Sequence, residues 1–142
     1  MKLTLRITLS ALLFLSIALL PVCSIVASAA DPEKGKLHPK AVKLDSQGKD
    51  YLQILGGSPE TVTMRSGLVV LAPGKSVGKH TTGQHEELLV ILEGKGEMTF
   101  GDGSKLPVEA SYALYCPPET EHDVTNTGTG VLRYVYVVAS TK

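Results

Sequence analysis

Leu88-Leu-Val-Ile-Leu92 is apolar at five consecutive positions, and Gly94-Lys-Gly96 closes the segment. A run this short, bounded by glycine, reads as a buried strand. Leu88, Val90 and Leu92 fall on one face and Leu89 and Ile91 on the other. A strand apolar on both faces is expected to be covered on both. Short runs of this kind recur along the chain. Ala41–Leu44 and Tyr51–Leu55 flank a polar turn, Gly56-Gly-Ser-Pro59 breaks the chain, and Val62 and Met64 alternate within Thr61–Arg65. Leu68–Ala72 is stopped by Pro73-Gly74, and Glu97–Phe100, Ser104–Glu109, Tyr112–Cys116, His122–Asn126 and Val131–Ala139 follow. Beyond the first thirty residues no segment sustains a 3.6-residue apolar period. Short strands at regular spacing, joined by Gly, Pro, Asn or Thr, predict an all-β sandwich or barrel.

The first thirty residues read as an export signal. Lys2 and Arg6 precede an uncharged stretch that lasts until Asp31, and Ala27-Ser-Ala29 is a small-x-small cleavage site. Cleavage after Ala29 or Ala30 leaves 31–142 as a single domain. The uncharged run is also long enough to serve as an uncleaved anchor, and Cys23 offers a lipidation site in a poor context. Each reading puts residues 31–142 outside the cytoplasm, periplasmic or secreted. Removing Lys2 and Arg6 leaves twelve basic against fourteen acidic side chains, a formal net charge of −2. That balance gives no basic footprint for nucleic acid and no polybasic patch for a membrane surface. Cys116 becomes the sole cysteine, so no internal disulfide is expected although the compartment permits one. Residues 31–40 hold two prolines, a glycine and five charges, and His38 within them reads as part of a leader.

The polar residues before the central strand carry the chemistry. His80, His85, Glu86 and Glu87 fall within eight residues at the mouth of the apolar run. Pro117-Pro-Glu-Thr-Glu-His122-Asp-Val-Thr-Asn126 supplies a further histidine about 40 residues on. Imidazole with carboxylate suits Fe, Mn, Ni, Zn or Cu as divalent ions, and such a set leaves positions open for water or substrate. The bland alternatives are interior histidines that are simply hydrogen-bonded and a Glu87 that faces solvent. Glu86 points away from Glu87 on a regular strand and reads as solvated. Cys116 reads as a small buried hydrophobe. Tyr112, Tyr115, Tyr134 and Tyr136 read mostly as wall, with one or two lining a cavity. Arg65 and Arg133 lie in strand-like segments, where an inward arginine would hold a carboxylate or phosphate and an outward one, equally open from the sequence, would face solvent.

Read together, the two stretches resemble the paired motifs of the cupin superfamily. Gly74, His80, Glu87 and Gly94 stand at the first motif's spacings, with Thr82 where a second histidine is usual. Pro117, His122 and Asn126 match the second motif, with Ser111 and Glu119 where glycines are usual. The resemblance covers about Leu68 to Val138. It implies a double-stranded β-helix, or jelly-roll barrel, with a divalent metal bound by the motif histidines and glutamate. It also implies a homodimer formed through edge strands. Thr82 cannot replace an imidazole, and His85, two residues before Glu87, shares its face on a regular strand. The expected ligand set is therefore His80, His85, Glu87 and His122. The competing set omits His85 as a solvent-facing loop residue. Three functions stay open: a metal-dependent small-molecule enzyme (dioxygenase, isomerase, decarboxylase or lyase), a non-catalytic module for a small molecule or metal, and a structural dimer with a vestigial cavity.

Overall fold

The computed structural model describes residues 37–142. The expected signal segment, 1–30, lies outside the described residues. Nine strands follow in order: β1 (Tyr51–Gly56), β2 (Arg65–Leu71), β3 (His80–Thr81), β4 (His85–Glu93), β5 (Lys95–Phe100), β6 (Lys105–Glu109), β7 (Ala113–Cys116), β8 (Glu121–Thr125) and β9 (Leu132–Ser140). They form two antiparallel sheets, β1-β2-β9-β4-β7 and β3-β8-β5-β6. The expected all-β sandwich is what the chain adopts. Among the described residues no helix is long and apolar enough to cross a membrane.

The core lies between the sheets. Leu89 and Ile91 of β4, with Leu132 and Tyr134 of β9, meet Met98, Val108 and Val124 of the second sheet. Alternation along β4 follows directly from the strand period: Glu87, Leu89 and Ile91 are buried. Leu88, Val90 and Leu92 stay 42%, 38% and 41% exposed. The expectation that both faces of β4 are covered is thus met on the inner face only. Across the outer face Leu88 stands opposite Tyr115 and Val137, and Val90 opposite Ala113 and Val135.

Three local readings change. Residues 41–44 form no strand, although the Leu44 carbonyl accepts a hydrogen bond from Arg133. Residues 61–64 form no strand and 61–63 are bends, because the Glu60 and Thr61 amides both bond back to the Gly57 carbonyl and close the chain on itself. The Val62–Met64 alternation therefore faces solvent. The two-residue strand β3 was not expected, since neither His80 nor Thr81 contributes to an apolar pattern.

The turn positions where glycine is usual keep a left-handed backbone without it. Ser111 has φ 73° and Glu119 φ 55°. Glu119 is held there by its own amide, which donates to the Gly83 carbonyl at 2.8 Å.

Candidate metal centre

β3 and β8 pair so that His80 stands directly opposite His122, and Thr81 opposite Glu121. The two imidazoles sit 4.4 Å apart, centroid to centroid, tilted by 57°. Glu87 comes from the facing sheet, where β4 places it on the inward side beside Leu89. Its Oε2 lies 3.2 Å from His122 Nε2. One ligand atom from each of His80, Glu87 and His122 falls within 4.8 Å of the others. The group joins both sheets: two histidines from one and the carboxylate from the other.

The tautomers follow from the backbone. His80 Nδ1 is 2.8 Å from the Gly78 carbonyl and His122 Nδ1 is 3.3 Å from that of Thr120. A carbonyl only accepts, so both Nδ1–H groups donate and each Nε2 is left with its lone pair. At His122 that lone pair then faces a carboxylate oxygen. Two acceptors this close need a cation between them, either a proton or a metal. Burial opposes charge on His122, but the Glu87 hydrogen bond, the Thr120 carbonyl and the negative charges of Glu87 and Asp123 outweigh it and raise its pKa. The donor set fits a divalent metal: neutral imidazoles oriented by carbonyls, plus one buried carboxylate.

His85 stands apart from this group. It lies on the cavity-facing side of β4, as strand spacing predicts, but its Nε2 is 3.4 Å from the Arg65 guanidinium. Thr82 is structural. Its hydroxyl donates to the Pro117 carbonyl and accepts from the Thr120 amide, both at 2.9 Å. The residue at the usual second-histidine position thus ties the loop before β4 to the loop before β8. Asn126 plays a similar part: its Nδ2 donates to the Leu71 and Gly130 carbonyls at 2.8 Å, and Oδ1 accepts from the Gly128 amide. Glu86 points outward, where Tyr115 donates to it. Cys116 is fully buried against Met98, and burial, then Glu87, pushes its thiol up to about 11. A thiol so placed is inert packing.

The three ligand candidates line a cavity of about 580 Å³ between the sheets, within the range of small-molecule sites. Its wall also carries Tyr51 and Tyr136, whose hydroxyls are 3.0 Å apart and whose rings stack at 6.4 Å. Gly67 makes this stack possible, since a Cβ there would lie 2.5 Å from the Tyr51 ring. Tyr134 and Tyr136 both line the cavity, and burial raises their pKa values, so they are neutral hydroxyls. Of the two arginines, Arg65 faces the cavity, while Arg133 pairs with Glu93. Sequence reasoning left Tyr51 and Gln53 out of the site. Both lie on β1, whose inward face becomes visible only once the β1–β2 register is known.

Residues 67–138 match the family described as Cupin domain. The chain is a cupin. No match was found among curated proteins. Solved structures place this cupin beside a Cupin 2 conserved barrel domain protein from Salinispora arenicola, with 21% identity over 73% of this chain and 91% of that one, TM-score 0.62. A Bacillus halodurans protein is similar at 21% identity over 74% and 83% of the two chains, TM-score 0.62. The Schizosaccharomyces pombe Cnp3 cupin domain is similar at 18% identity, TM-score 0.57, and the cupin spans 63% of its length. Identities this low speak for the fold alone.

Proposed function

We propose that this cupin holds a divalent transition metal (Fe, Mn, Ni, Zn or Cu) on His80, Glu87 and His122, and uses it on a small molecule bound in the adjoining cavity. The observation that carries the reading is the convergence of three donors from both sheets within 4.8 Å of one another on the wall of that cavity. A bound metal supplies Lewis acidity and open positions for water, dioxygen or a chelating substrate. The chain's own part is orientation and exclusion. Gly78 and Thr120 fix the imidazoles through their carbonyls, and Val124, Leu89 and Tyr134 wall the centre. Elemental analysis of tag-free protein, followed by oxygen uptake over a panel of small molecules, tests the reading. Near-stoichiometric metal with turnover is expected. Metal without turnover assigns a binding module, and protein that takes up no added metal overturns the proposal.

The open outer face of β4 supports a homodimer. Leu88, Val90, Leu92 and Tyr115 form a contiguous apolar surface on one sheet, with Val135 and Val137 alongside. A second copy laid on this face would give β4 the two-sided cover its sequence implies. Sedimentation at micromolar concentration should give a dimer, and Leu88→Glu should shift it towards monomer. A wild-type monomer would contradict the proposal.

A further inference from the structure

We propose that Arg65 is the anion-binding end of the cavity, so that the ligand of this cupin is a small carboxylic acid. The carboxylate rests on the Arg65 guanidinium and the far end of the molecule reaches the His80–Glu87–His122 group. The inference deepens the metal-site reading and rests on it for the far end only.

The register places the two ends. Arg65 of β2 pairs with Val138 of β9, and Val138 pairs in turn with Glu87 of β4. All three line the cavity. Arg65 and Glu87 thus stand in one row across three strands, roughly 10 Å apart at the backbone from two strand spacings. The Arg65 side chain crosses much of that gap to meet His85, two residues from Glu87 on β4, so a molecule a few bonds long spans from the guanidinium to the metal group.

Arg65 is also held in place. Gly57, at φ +87°, lies under its stem, where a Cβ would come within 2.9 Å of Arg65 Cγ. On the other side its Nη2 is 3.4 Å from His85 Nε2. A guanidinium only donates, so His85 accepts here and acts as a positioning residue for Arg65. Among the described residues Arg65 forms no ion pair with a carboxylate, in contrast to Arg133 with Glu93. Beside it, the hydrogen-bonded Tyr51 and Tyr136 hydroxyls share two protons, of which one remains to donate.

Charge completes the argument. Glu87 is the one carboxylate among the lining residues, and it is committed to His122. Arg65 adds a positive charge, and a divalent metal would add two more, so the loaded cavity needs an anion. Among the described residues no lysine lines it, so Arg65 is its one fixed side-chain cation, and a single charge on a planar fork pairs bidentately with a monoanionic carboxylate.

The test is calorimetric titration of the metal-loaded protein with short carboxylic and 2-hydroxycarboxylic acids, their neutral amides, and inorganic phosphate. At least one acid should bind and its amide should not. Arg65→Met should weaken that acid about 10- to 100-fold, the usual worth of a charge-assisted pair, with metal content unchanged. Arg133→Met should bind as wild type. No acid preferred over its amide, phosphate preferred over every acid, or Arg65→Met binding like wild type would overturn the proposal. Acid binding through Arg65 in protein that takes up no metal would instead leave Arg65 standing and overturn the metal centre alone.

Discussion

Replacing His80 or His122 with alanine should weaken metal binding by more than about 100-fold, the upper end of what outer hydrogen-bond partners contribute. His85→Ala should change it by less than about tenfold, below what such partners contribute, because its ring meets Arg65 and not a ligand residue. The difference follows from placement. His80 and His122 stand opposite one another on β3 and β8, each with Nδ1 held by a carbonyl, and His122 Nε2 faces Glu87. His85 Nε2 is engaged by Arg65. His122→Ala carries a second cost, because it leaves the buried Glu87 carboxylate without its partner. Removing one partner of a buried pair costs roughly 3–5 kcal/mol. His80 is exposed, so His80→Ala removes a ligand and leaves the core untouched. Titration of both variants with the metal found in the wild type, followed by competition with a chelator, measures the effect.

Gly94→Ala should be among the most damaging single substitutions in the chain. Gly94 has φ +88°, and a Cβ there would lie 2.2 Å from the Val131 carbonyl and 2.8 Å from Leu132 Cα. Both obstacles are backbone, so no rotamer relieves them. A left-handed alanine costs about 1–2 kcal/mol, and overpacking adds about 1–3 kcal/mol. Together these take a large share of the roughly 5–15 kcal/mol that holds a domain folded. Gly103→Ala is the internal control: φ is +83°, but nothing lies within 4 Å of the added carbon. Thermal unfolding should show Gly94→Ala lowered by about 8–40 °C and Gly103→Ala, which carries the left-handed cost alone, by about 4–16 °C, on the usual scale of about 4–8 °C per kcal/mol. Equal shifts would mean that the close approach at Val131 contributes nothing.

The fold was legible because strand period and turn chemistry act locally. Leu89 and Ile91 alternate with exposed neighbours as the pleat requires, and Gly94 and Pro73-Gly74 fall at the breaks. The failures have the same origin. Val62 and Met64 alternate over too short a span for any ladder to form, and the Gly57 carbonyl takes the amides instead. β3 has no apolar residue to announce it, yet its pairing with β8 sets His80 against His122.

The candidate site was legible in its residue types and less so in its partners. His80, Glu87 and His122 converge as expected. His85 has the face predicted for it, but strand period cannot say that Arg65, two strands away, reaches its ring first. Thr82 looked like a lost ligand, whereas its hydroxyl joins two loops at Pro117 and Thr120. Such non-local hydrogen bonds leave no periodic trace in a sequence.

The central claim is that the metal is held by two imidazoles and one carboxylate. Counting coordinated imidazole nitrogens by pulsed electron paramagnetic resonance on the copper(II)-loaded protein tests it most directly. The account predicts two imidazoles in the wild type, two in His85→Ala and one in His80→Ala. Three imidazoles in the wild type, falling to two in His85→Ala, would contradict it and restore His85 as a ligand.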